Sequence, residues 1–207
     1  MYQISLFEYL MVSVAVILSL RVYRAAHPPG APAEPPAPAR PDGVAAGAAG
    51  TTAANEEAAR LAATLQRLAE GGDGVPALLE GARQAYEDLL AAYAAGDLAG
   101  HDHLLAGPIR QAFETALAER QARGETSSLT FIGFHTAEIV AAGVDEAQAW
   151  MDVHFVADIV ASTRDGAGKV LTGHPTRVTQ TDEVWTFERD LAAPASGWRL
   201  AATAAAG

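Results

Sequence analysis

The chain has 207 residues, a formal net charge of −11 and no cysteine. That acidic balance argues against nucleic acid as a partner and against electrostatic adhesion to anionic lipid. Without cysteine there is no thiol catalysis, zinc–thiolate site or disulfide.

Residues 1–24 form the first predicted element, a transmembrane anchor. Ile4 to Leu20 is almost wholly apolar, with Leu6, Leu10, Val14, Ile17 and Leu20 spread along it, and Arg21 and Arg24 follow at once. As a helix the run spans about 25 Å, slightly under the roughly 30 Å of a hydrocarbon core. No Lys or Arg precedes it, the reverse of a cleaved signal, whose basic residues come first. The positive-inside rule then puts the N-terminus outside and the bulk of the chain in the cytoplasm, on a bacterial inner membrane. Glu8 sits five residues into the run, where it can stay near the interface beside Tyr2 and Tyr9. A cleaved signal with a periplasmic domain, or a buried core helix, are the other readings.

Residues 25–54 read as a disordered tether. Seven prolines fall between Pro28 and Pro41, a composition that favours extended backbone. Ala45 to Gly50 then offers nothing large to bury. An amphipathic helix is expected over 55–71. Asn55 suits its cap, Glu56 and Glu57 its first turn, and Leu61, Leu65 and Leu68 its apolar stripe. That stripe has three candidate partners: the domain, another copy, or a different protein.

Residues 75–204 make one domain of ordinary size. Leu79, Ala82, Tyr86, Leu89, Leu90 and Tyr93 recur at helical spacing until Gly96-Asp97. A short helix is expected around Leu98–Leu105, and Pro108 opens another that ends at Gly124, with Ile109 and Phe113 inward. Beyond Gly124 the period is two. Ser128–Val140 reads as a strand bulged at Gly133. In the next strand Ala149, Met151, Val153, Phe155, Ala157 and Ile159 share one face, and Trp150, Asp152, His154, Val156 and Asp158 the other. Asp165-Gly166 marks a hairpin turn into Lys169–Thr172. Arg177–Arg189 is a further strand, with Thr179, Thr181, Glu183, Trp185 and Phe187 on one face, and Trp198–Thr203 is the last. Helices followed by antiparallel strands give an α+β layout, here three helices on a curved sheet enclosing a hollow apolar cone.

These segments resemble a known family. Leu79–Glu87, Gly96-Asp97 and Glu119–Glu125 are similar to the C-terminal domain of the mitochondrial TIM import-motor adaptor, and more so to its alphaproteobacterial relatives, the TimA adaptor proteins. Phe155–Gly166, Asp182–Arg189 and Trp198–Ala201 resemble its strands. The resemblance implies a cone similar to the nuclear transport factor two-like superfamily, with an apolar pocket between helices and sheet. It also implies a membrane-tethered, non-enzymatic adaptor that binds a protein partner, a lipid or an acyl chain and needs no cofactor. Tyr86, Phe113, Phe155, Trp185 and Phe187 are the pocket or core candidates.

A rival reading is an enzyme of the same fold using Asp152, His154 or Asp158 inside the cone, a carboxylate beside a histidine being suited to acid–base work. The face of the second strand that lines the interior separates the two. His101-Asp102-His103 has metal-ligand types, but its neighbours read as a plain helix connection. Arg110, Arg120 and Arg123 are answered by Glu114, Glu119 and Glu125 and read as a solvated face. There is no phosphate-binding GxxxxGK[ST] loop.

Overall fold

A computed structural model describes residues 47–69, 74–193 and 197–206. Among these residues three α-helices come first: α1 (Gly47–Leu68), α2 (Val75–Ala95) and α3 (Gly107–Ala122). Five strands follow: β1 (Thr126–Asp145), β2 (Gln148–Arg164), β3 (Val170–Gly173), β4 (Thr179–Asp190) and β5 (Arg199–Ala205). The sheet is antiparallel, ordered β1-β2-β4-β5, with β3 paired to the far end of β2. The α+β layout expected from the switch in period is the one observed.

Helix α1 starts at Gly47, inside the stretch 25–54 expected as tether, and ends at Leu68 rather than 71. Alanine is the best helix former, so the Ala-rich run continues the helix upstream and Asn55 lies in its interior instead of capping it. Over its described side chains, from residue 55 on, it is docked by its end. Leu65 and Leu68 are buried, residues 55–60 are exposed, and Arg189 Nη2 donates to the Leu68 carbonyl at 3.2 Å. The domain itself therefore covers the stripe.

Helix α2 supplies the centre of the core through Ala82, Ala85, Tyr86, Leu89, Leu90 and Tyr93, and α3 through Ile109 and Phe113. Between them the expected helix at 98–105 is reduced to a 3-10 turn, Asp102–Leu104, because Gly100 takes a positive φ of 85°. Leu105 bridges Leu200, and Ala106 N–H donates to the Leu200 carbonyl at 2.8 Å, so this connection is tied to β5.

Arg120 departs from its expected place on a solvated face. It is only 7% exposed and stacks on Tyr93, with its guanidinium carbon 5.2 Å from the ring centre. Its Nη2 donates to the Tyr93 and Ala94 carbonyls at 2.9 and 3.2 Å. A cation thus closes the C-terminal end of α2, where carbonyls lack helical partners and the dipole is negative. Gly96 follows in the left-handed region, at φ 79°. A Cβ there would lie 3.0 Å from Arg120 Nη2. Gly96→Ala is accordingly expected to destabilise the fold by about 1–2 kcal/mol, through backbone strain and displacement of the guanidinium. Urea unfolding followed by circular dichroism measures this, and an unchanged midpoint would show that Arg120 is not fixed as described.

Candidate functional site

Strand β2 decides which groups face the helices. Ala149, Met151, Val153, Phe155, Ala157 and Ile159 are 0–1% exposed, and from Met151 on they share one core with α2 and α3. The intervening Trp150, Asp152, His154, Val156 and Asp158 belong to the opposite, partly exposed face. Asp152, His154 and Asp158 are therefore not between helices and sheet, and the enzyme reading loses the placement it required. The cause is the strict two-residue alternation of a strand whose inner face is wholly apolar.

The interior is organised around Tyr86. Its ring centre lies 6.2 Å from Phe131, 5.3 Å from Phe134, 4.7 Å from Phe155 and 4.6 Å from Trp185. Phe187 extends this group, 6.4 Å from Trp185, while Phe113 packs on Tyr93 at 5.3 Å. The five candidates Tyr86, Phe113, Phe155, Trp185 and Phe187 are all fully buried in the core between helices and sheet.

Polar groups stand at the heart of this apolar layer. Thr181 Oγ1 donates to the Ala157 carbonyl at 3.3 Å, which commits its proton. The Tyr86 hydroxyl, 3.1 Å away, therefore donates to Thr181 Oγ1. Glu183, 0% exposed, accepts from Trp185 Nε1 at 3.3 Å. Burial, with the nearby Glu183 charge added, pushes the Tyr86 phenol far above its ordinary range. Thr181 and Glu183 were not among the candidates. Their inward parity was visible in the alternation of β4, but residue type alone gives no reason to bury a carboxyl there.

The outer face carries a hydrogen-bonded ladder across three strands. His154 Nε2 is 2.7 Å from Asp182 Oδ1 on β4, and its Nδ1 is 3.5 Å from Glu138 Oε1 on β1. His135 Nε2 is 2.9 Å from Asp158 Oδ2, and Thr186 Oγ1 donates to Asp152 Oδ1 at 2.7 Å. No group of three or more metal-ligand side chains is placed to hold an ion among the described residues.

The anchor candidates Leu6, Leu10, Val14, Ile17, Leu20, Arg21 and Arg24 lie outside the described residues. Among those described, no helix is long and apolar enough to cross a membrane.

A layer of helices on one face of an antiparallel sheet, filled by aromatic rings, defines an α+β domain built for packing around Tyr86. The Tim44-like domain family matches this chain over residues 73–205, and the chain belongs to that family. No curated protein matches it. Among solved structures, the intermembrane space region of the chloroplast protein ARC6 is similar at 13% identity and a TM-score of 0.44, over 61% of this chain and 92% of that one.

Removing the Tyr86 hydroxyl leaves Thr181 Oγ1 without its donor inside the core. Tyr86→Phe is expected to cost about 1–2 kcal/mol and Tyr86→Ala about 3–5 kcal/mol in urea unfolding. A raised phenol pKa favours the fold fully below the unfolded tyrosine value and progressively less above it. Stability is therefore expected to fall above about pH 10 in the wild type, and less steeply in Tyr86→Phe. Parallel pH dependences in the two proteins would remove Tyr86 as the cause.

Proposed function

We propose that this chain is a membrane-tethered, non-enzymatic adaptor. Its Tim44-like domain would work in the cytoplasm, held to a bacterial inner membrane by a single N-terminal span with the N-terminus outside. The observation that carries this reading is a Tim44-like match over residues 73–205 lying behind the apolar run Ile4–Leu20 and its trailing arginines. The membrane-associated adaptor role follows the family. The span, its orientation and the tether between 25 and the start of α1 follow the sequence pattern. On this reading the domain is a cone of the nuclear transport factor two-like kind, and its task is to hold a protein partner or a lipid near the membrane. Helix α1 would then add a stiff section next to the proline-rich stretch, with residues 55–60 exposed.

The enzyme alternative gains no support from the outer-face positions of Asp152, His154 and Asp158. The interior group of Tyr86, Thr181 and Glu183 is closed off by aromatic rings.

Two measurements test the tether. The full chain is expected to remain in the membrane pellet after alkaline carbonate extraction, and a chain lacking residues 1–24 to move to the supernatant. A reporter active only in the periplasm, fused after Gly207, is expected to stay silent, while a cytoplasm-active reporter at the same site gives signal. Periplasmic activity would overturn the orientation, and release of the intact chain by carbonate would overturn the anchor.

A further inference from the structure

Six large apolar side chains are exposed among the described residues. Ile132 and Val140 lie along β1, and the other four, each 38–51% exposed, fall in two pairs at opposite ends of the sheet. Val144 and Leu191 flank the β1–β2 turn, where Leu191 N–H donates to the Ala147 carbonyl at 2.7 Å. Leu171 on β3 and Val178 at the foot of β4 stand at the other end, where β3 pairs with β2 at Ser162–Arg164 and β4 begins opposite Ile159. The 17 residues of β2 put roughly 55 Å of strand between the two ends.

Each pair is accompanied by charge, and the signs are opposite. The β1–β2 turn carries Asp145 and Glu146, both exposed. Glu146 takes a positive φ of 51°, which no other non-glycine residue does among those described. Glycine would hold that turn without strain, so the carboxylate is carried there at a conformational cost. The arginines of this end are engaged elsewhere, Arg189 with the Leu68 carbonyl and Arg199 with Glu188. The other end carries Arg164, Lys169 and Arg177, none of which forms an ion pair among the described residues. Two carboxylates stand near them. Asp165 Oδ1 accepts from the Ala167 and Lys169 amides at 3.0 and 2.9 Å, and Glu125 is held by Arg123 at 2.8 Å. We infer that the two ends dock on one another between copies of this chain, head to tail. The acidic, apolar turn of one copy meets the cationic, apolar end of the next.

Other occupants account for less. Like ends joined by a two-fold axis would set carboxylate against carboxylate or cation against cation. An anionic lipid surface would take Arg164, Lys169 and Arg177 but leave Val144 and Leu191 in water, and a foreign acidic peptide would do the same. A second copy covers both apolar pairs and answers both signs of charge. Because two different surfaces meet, the contact is heterologous and can repeat along a row. Two turns of this size bury a small area, so the contact is weak and transient. This goes beyond the adaptor reading and holds whichever partner the adaptor carries.

The test uses the full chain in phosphatidylcholine vesicles under a mild oxidant. The chain has no cysteine, so Val144→Cys reports one end and Leu171→Cys the other. A mixture of the two variants is expected to form a disulfide-linked dimer about tenfold faster than either alone, and about tenfold more slowly at 1 M salt than at low salt. Adding Asp145→Asn with Glu146→Gln to the first variant, or Lys169→Ser with Arg177→Ser to the second, should slow the mixed dimer to a similar degree. These positions lie outside the core, and circular dichroism checks that the variants fold. Equal rates in the mixture and in the single variants, or a mixed rate indifferent to salt and to both charge removals, would overturn the contact. So would a fast dimer of either variant alone, which would assign that end to a two-fold contact. Loss of the mixed dimer when phosphatidylglycerol replaces phosphatidylcholine would assign the cationic end to lipid instead. Carbonate extraction judges the tether separately, so a chain that stays membrane-bound yet forms no mixed dimer overturns this contact and leaves the adaptor reading in place.

Discussion

Tyr86 is the side chain on which the relation of helix to sheet depends. It comes from the middle of α2, touches rings from β1, β2 and β4, and is fully buried. Stacking of rings alone fixes distance poorly, because offset and tilted arrangements have similar energies. The hydroxyl supplies the missing constraint. Its bond to Thr181 Oγ1, backed by the Thr181 bond to the Ala157 carbonyl, ties α2 to one position along β4 and through it to β2. A slip of the helix by one turn would leave a buried donor unsatisfied, which costs more than a hydrogen bond ordinarily contributes. Arg120 then holds the far end of the same helix through two carbonyls, so α2 is fixed at its centre and at its C-terminus.

That fixed interior separates the two faces of the sheet by purpose. The inner face of β2 is apolar at every odd position from 149 to 159, and its burial sets the register of the whole sheet. The outer face has no such duty and carries charge, histidine and exposed aliphatic side chains instead. The bulges of β1 increase this asymmetry. They keep Phe131, Phe134, Ala137 and Ile139 turned inward, and they discharge the surplus residues outward. One irregularity thus does two things: it bends the strand around the core and it enlarges the outer surface.

How far all this was legible in the sequence follows from the kind of signal each part leaves. The apolar alternation of β2 is strong, and it correctly separates Phe155 from His154. The switch from helical to strand period after Gly124 gives the α+β order. The bulge at Ile132 is marked by the glycine beside it, Gly133, but those at His135 and Val140 have no such neighbour and leave no local mark. They are visible only once β2 stands opposite. Helix α1 was hidden because alanine and glycine together read as tether, whereas alanine also propagates a helix already begun. Arg120 and Glu183 were hidden for a shared reason. A charged type argues for solvent, and the carbonyls of α2 for one and the indole of Trp185 for the other are among the partners that let each be buried.

The placement of Glu183 bears on how closed the interior of this domain is. A carboxyl in an apolar layer is tolerated only while its partners stay fixed, and here Trp185, itself held between Tyr86 and Phe155, is one of them. Opening the interior to admit a ligand would disturb that indole, the Tyr86 hydroxyl and the carboxyl together. The outer ladder is different. Its carboxylates and imidazoles already meet water, so a partner there replaces solvent contacts one at a time and leaves the core undisturbed. The interior is thus built to stay packed, and the outer face of the sheet carries no such constraint.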